Sequence, residues 1–317
     1  MKSDSNRPVP GTDVQLGRLR PELNALLDSI PDYRPGDVEA IRAVMASAFN
    51  SSTAAPTEVM TVRASDGREI ELRIHRPPGN LRGTLMHIHG GGFVMGSASL
   101  YDGVCSELAD ATGCVVASVD YRLAPEHPYP AALDDCMTAW EWLTATGAVS
   151  GVDGKRVGLY GESAGAALAL GVANRLRTSE ASHATVLVLQ EPVTDDRLSS
   201  ASSQEFTDTP IWNRSLAQWS WQSYLGPRHG DPPEEAAPAR LEDYVGFPPT
   251  FVSTRDLDPL RDEGLALAQR MISNGVEVEL RHYAGTVHGT LGFTGTRVRE
   301  RILRDTIEYI VEWFDTA

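Results

Sequence analysis

From Gly83 onward the chain alternates between short β-prone runs and stretches of helical periodicity, and this alternation restricts the fold more than any other feature. Strands are predicted over 83–89, 114–120, 156–160, 185–190, 250–254 and 276–283. Helices are predicted between and after them, over 100–112, 130–145, 163–177, 260–273 and 297–313. Such an order builds a mostly parallel central sheet with helices on both faces, an α/β fold. Ahead of it, 58–63 and 69–75 flank Ser65-Asp66-Gly67-Arg68, a hairpin signal that places an antiparallel edge at the N-terminal side.

Two segments stand outside the alternation. Residues 1 to about 12 read as disordered. Then Leu23, Leu26, Leu27 and Ile30 mark one amphipathic helix, and Val38, Ile41, Val44, Met45 and Phe49 a second, N-capped by Asp37 and broken at Ser51-Ser52-Thr53. The expected organisation is a leading pair of cap helices over 1–55 and a catalytic domain over 56–317. About sixty residues separate Gln190 from Thr250, too many for a simple crossover. They carry Phe206, Trp212, Trp219, Trp221 and Tyr224, and are expected to form a cap insertion at about 195–245, at the sheet edge where α/β ligands bind.

Gly161-Glu162-Ser163-Ala164-Gly165 reads G-x-S-x-G between a β-prone run and a run of helix formers. A serine on a sharp strand-to-helix turn is held exposed, and the following helix aims its first amides at the reacting centre. Upstream, His89-Gly90-Gly91-Gly92-Phe93 ends a predicted strand. Three glycines there allow backbone amides to approach a ligand oxygen, as an oxyanion hole requires. A nucleophilic serine needs a base, and the base an orienting carboxylate. Of eight histidines, His288 lies in the loop just past the last strand, at the same sheet edge as Ser163. His282 lies within that strand, His87 is expected to pack, and His89 to hold its loop by hydrogen bonding. Asp258, fixed by Pro259, follows the strand before, and Asp256 is the competing carboxylate. The order is Ser163, Asp258, His288. A Ser-x-x-Lys mechanism is disfavoured because Ala166 stands where lysine would, and Lys2 and Lys155 are the only lysines.

These stretches, with Asp120-Tyr121-Arg122-Leu123-Ala124-Pro125-Glu126-His127-Pro128 and Asp258-Pro259-Leu260-Arg261-Asp262-Glu263, resemble the hormone-sensitive-lipase-like branch of the α/β-hydrolase carboxylesterases. Asp195-Asp196-Arg197-Leu198 and Asp208-Thr209-Pro210-Ile211-Trp212 are similar to the bacterial heroin esterases within it. The resemblance implies an α/β-hydrolase fold with a helical cap and a serine carboxylesterase acting on short-chain acyl or aryl esters. It implies Ser163 as nucleophile, His288 as base, Asp258 as its orienter, and the amides of Gly91, Gly92 and Ala164 as oxyanion donors. Phe93, Glu191 and Trp212 are expected to line the substrate pocket. The chain departs from the branch at Glu162, often Asp, and at Thr290, usually Phe. The same machinery serves amides, carbamates and lactones, and a small-molecule receptor on this fold is the non-enzymatic alternative.

A net charge of −15 argues against a nucleic-acid partner. No H-E-x-x-H motif is present, and Cys105, Cys114 and Cys136 show no C-x-x-C spacing, so neither metal nor cofactor is expected. The polar start predicts no signal peptide, and no stretch predicts membrane insertion, so the expected setting is cytoplasmic. A homodimer is implied by the family.

Overall fold

The computed structural model describes residues 17–27, 35–49, 54–145, 151, 153–177 and 183–316. The expected disorder at 1–12, Ile30 and the break at 51–53 lie outside these residues. Strands β1 (Glu58–Arg63), β2 (Glu69–His75), β3 (Thr84–Ile88), β4 (Val115–Asp120), β5 (Val157–Glu162), β6 (Leu187–Gln190), β7 (Thr250–Leu257) and β8 (Val278–Val287) form a single sheet. Its order is β1-β2-β4-β3-β5-β6-β7-β8. The hairpin joins antiparallel to β4, and every pairing beyond is parallel.

Burial follows from this arrangement. β3, β5, β6 and β7 are buried along their whole length because helices cover both faces. β1 shows a mostly exposed pattern because it closes the sheet at one edge. The helices are α1 (Pro21–Leu27), α2 (Val38–Phe49), α3 (Asp102–Thr112), α4 (Ala131–Thr144), α5 (Ala164–Arg177), α6 (Ala201–Glu205), α7 (Arg214–Leu225), α8 (Arg261–Ser273) and α9 (Arg297–Thr316). Asp37 caps α2 as its position suggested, its Oδ1 accepting from the Ala40 amide at 3.0 Å. The small residues of α5 leave it buried on nearly every side, between the sheet and the segment that follows β6. At the opposite end from the G-x-S-x-G turn, the Phe314 ring lies against Gly83 and Gly158.

Three strands outrun the expectation from sequence, β5 among them, which continues past Tyr160 to Glu162. β7 continues past Thr254 to Leu257, and β8 past Tyr283 to Val287. The polar pair Arg255-Asp256 reads as a loop, yet both side chains are buried with charged partners, and a register irregularity lies between Arg255 and Leu257. The residues between β6 and β7 hold α6, α7 and two short 3-10 turns. Helix α7 is capped by Asn213, whose side chain accepts from the Leu216 amide at 3.0 Å, and it turns Trp221 and Tyr224 inward.

Candidate active site

Ser163 sits at the β5–α5 turn with φ 53°, a left-handed conformation that costs a non-glycine residue about 1–3 kcal/mol. The turn is held by the Ser163 amide donating to the Gln190 carbonyl at 2.8 Å, and by the Ala166 and Val193 amides donating to the Ser163 carbonyl. It packs so tightly on β3 that a Cβ on Gly165 would meet the Ile88 carbonyl oxygen at 2.0 Å, which only glycine avoids.

The structure brings Ser163, His288 and Asp258 together. His288 Nε2 lies 3.0 Å from Ser163 Oγ, and its Nδ1 lies 2.9 Å from Asp258 Oδ2. Both chain segments reach this point because β7 and β8 are adjacent and parallel, so the residues following them leave the same sheet edge. Asp258 is further fixed by the Leu260 amide, which donates to its Oδ1 at 2.9 Å. The competing Asp256 is directed elsewhere: Arg18 pairs with its Oδ1 at 2.5 Å and the Gly285 amide donates to its Oδ2 at 2.9 Å. Burial alone would push the His288 imidazole down; the Glu191 and Asp258 carboxylates outweigh it and hold the imidazole above its ordinary value.

The glycine run lies across the turn. A Cβ on Gly90 would stand 3.4 Å from Ser163 Cβ, and one on Gly91 (φ 116°) would meet the Met95 carbonyl at 2.1 Å. The Gly91 carbonyl accepts from the Val94 and Met95 amides. No backbone acceptor among the described residues takes the Gly91 or Gly92 amide, and Ala164 opens α5, where an amide has no intrahelical partner. His89 supports the loop: its Nδ1 bonds the Gly90 carbonyl at 2.8 Å and its ring stacks on Tyr121 at 4.2 Å. Tyr121 in turn donates to the His89 carbonyl at 2.8 Å. Burial drives the His89 imidazole down to about 3, so it stays neutral and Nδ1–H is the donor. His87 packs on β3, its Nδ1 3.0 Å from Ser118 Oγ, and His282 Nδ1 lies 2.9 Å from Thr254 Oγ1.

A cavity opens over Ser163, lined by the Gly90–Gly92 backbone, Met45, Glu191, Trp212 and His288. Trp212 is buried there, 5.7 Å from the His288 ring centre. Phe93 does not line this cavity, which corrects the expectation for it. At φ 66° its ring turns inward and stacks on Tyr224 at 3.9 Å, beside Trp221. Helix α2 closes one side: Arg42 donates to the Val94 and Ala124 carbonyls and pairs with Glu126.

Sequence reasoning missed Arg255. It is fully buried, 3.1 Å from Glu191 Oε2, and donates to Ser253 Oγ and Gln190 Oε1. The available signal was a glutamate and an arginine closing adjacent predicted strands. Glu191, Asp258 and His288 also place three possible metal-ligand atoms within 4.8 Å of one another. The two imidazole nitrogens face Asp258 and Ser163, and the Arg255 cation lies alongside, so the set is organised around the histidine rather than around a cation.

A strained serine on a strand–helix turn, an imidazole and carboxylate behind it, and a glycine loop beside it define an α/β hydrolase. A family model described as alpha/beta hydrolase fold matches residues 85–292, and the chain belongs to that family, in its hormone-sensitive-lipase-like branch. Carboxylesterase NlhH of Mycobacterium tuberculosis is 34% identical over 287 residues, 87% of this chain and 89% of NlhH. Esterase LipI of the same species is 37% identical over 213 residues, 67% of this chain and 66% of LipI, just under two thirds of that relative. Among solved structures, bacterial heroin esterase is similar with a TM-score of 0.88 and 35% identity, covering 94% of this chain and 99% of that one. No helix of the described residues is long and apolar enough to cross a membrane.

Proposed function

We propose that this chain is a serine carboxylesterase that hydrolyses short-chain acyl or aryl esters through an acyl-enzyme. The observation that carries the reading is the continuous bonding from Ser163 Oγ through the His288 ring to Asp258, at 3.0 and 2.9 Å. His288 takes the Ser163 proton as the hydroxyl attacks the ester carbonyl. Negative charge then develops on the carbonyl oxygen, and the amides of Gly91, Gly92 and Ala164 receive it. Asp258 keeps Nδ1 protonated and supports the imidazolium. His288 next protonates the leaving alcohol, then draws a proton from the water that releases the acid.

The narrowness of the site supports small acyl groups. Trp212 closes the cavity beside Gly92, where a Cβ would stand 2.8 Å from its ring. Helices α1 and α2 and the segment at about 195–245 serve as the cap, with Met45 of α2 and Trp212 of that segment reaching the cavity. The relatives named as esterases agree with the reading. Three buried free thiols fit a reducing, cytoplasmic setting. The open edge of β8 offers a place for two copies to pair.

Purified protein assayed on p-nitrophenyl esters of increasing acyl length, with matched anilides, tests the proposal. Turnover is expected to peak at short acyl chains and to vanish in Ser163→Ala with the fold intact. Undiminished turnover in that variant would overturn it, and faster cleavage of anilides would reassign the chain to amide hydrolysis.

A further inference from the structure

His288 faces two carboxylates. Asp258 bonds its Nδ1, and Glu191 Oε2 lies 4.0 Å from the same nitrogen. Glu191 is not a loose neighbour. Its Oε1 accepts from the Gly289 amide at 2.8 Å, one residue beyond the histidine, and its Oε2 pairs with Arg255. Its own amide donates to the Ser253 carbonyl at 2.9 Å, and its φ is 42°, so the backbone is bent to deliver the side chain here. Arg255 is sealed from water by Tyr283, whose ring centre is 5.3 Å from the guanidinium carbon. Burial raises the Glu191 carboxyl above its ordinary value, and the His288 imidazole and the Arg255 guanidinium oppose that by favouring its charged form. A buried ion pair of this kind seldom adds stability over well-packed apolar residues, which leaves its position behind the histidine to be explained.

We propose that Glu191, held by Arg255, is a positioning residue for the reaction: it pins the His288 loop through the Gly289 amide and places a second negative charge behind the imidazole. This rests on His288 being the general base. The imidazolium formed during attack is stabilised by Asp258 through a direct bond and by Glu191 through space, in a region where burial makes charge at 4 Å count. Other charged groups near this point are engaged elsewhere. Glu263 of α8 accepts from the Thr194 amide, and Asp256 is held by Arg18 and the Gly285 amide with His282 3.9 Å away. Glu162, beside Ser163, faces His87 at 3.5 Å.

Glu191→Gln keeps an acceptor for the Gly289 amide and removes the charge. Glu191→Gln with Arg255→Met removes both charges, so no unpaired ion is left buried if the single variant fails to fold. Ser253 and Gln190 still bond each other in that variant. Two readouts are taken on each: the pH profile of kcat/KM for p-nitrophenyl acetate, and NMR titration of the His288 ring, assigned by its absence from His288→Gln. In Glu191→Gln the His288 titration and the acid limb are expected to move to lower pH by about one unit, with the plateau about tenfold lower; in the double variant, which also loses the cation, they are expected to move the same way by less. An unmoved titration and limb in the variants, with wild-type ester turnover intact, would overturn the proposal and leave the esterase reading standing. A shifted His288 titration in a protein that cleaves no ester would do the reverse.

Discussion

At Ser163 the chain accepts a strained φ of 53° to aim one hydroxyl at one imidazole, and the Glu191 and Asp258 carboxylates behind that imidazole raise its basicity against burial. Asp258→Asn removes the group that holds the Nδ1 proton, and kcat is expected to fall on the order of 10³–10⁴-fold. Asp256→Asn is expected to cost less than about tenfold, because that side chain serves Arg18 and a backbone amide. Steady-state kinetics on both variants check the ordering, and the reverse ordering would move the orienter to Asp256. The direction of the His288 shift gives a pH prediction. The base must be neutral to accept the serine proton, so a raised imidazole places the acid limb of kcat/KM above about pH 6.5. A profile flat down to pH values below that would contradict it. The three groups were legible in the sequence because each follows a strand, and parallel strands deliver such residues to one edge. Pro259 and the family resemblance favoured Asp258 there and left Asp256 as its competitor, since their side-chain directions depend on how far β7 extends. Arg255 was missed for the same reason: a charge inside a strand looks like a loop until it is matched with a partner such as Glu191 at the end of the adjacent strand.

Between the strands the elements differ in how well their sequences announce them. Helices α4, α5, α8 and α9 lie within a few residues of their predicted bounds because each has one strongly apolar stripe or small-residue face. The segment carrying α6 and α7 was visible only as a gap with too many aromatics. Its packing follows from tertiary partners, Trp221 and Tyr224 against Phe93, rather than from any local period. That packing drew Phe93 inward and left Trp212 alone of the two to wall the cavity. Trp212→Ala is expected to widen the acyl side, raising kcat/KM for esters several carbons longer by about tenfold or more relative to acetate. An unchanged chain-length profile would show that the ring does not bound the acyl group.

Over the whole molecule, stability and chemistry sit at opposite ends of the sheet. Phe314 is fully buried against Gly83 and Gly158, far along the strands from the Ser163 turn. Phe314→Ala is expected to lower unfolding stability by about 3–5 kcal/mol while leaving kcat/KM unchanged well below the melting temperature. Denaturant titration with parallel kinetics tests this, and a matching loss of activity in the cold would show the two ends to be coupled. The sheet was the most legible part of the chain, since alternation is a property of long stretches and survives errors at single ends. One contact remains to be followed to its consequence. The Arg20 amide donates to the Gly285 carbonyl at 2.9 Å, and Arg18 reaches Asp256, so the loop bearing His288 rests on a segment from the beginning of the chain. The reacting groups themselves run from Gly91 to His288, and α9, which comes after them, packs back on α3. A nascent chain therefore carries the serine and its glycine loop before the histidine that arms them, 125 residues beyond that serine, is added. Esterase activity should be born only once the segment bearing His288 has been made and has closed on Arg18 and Arg20.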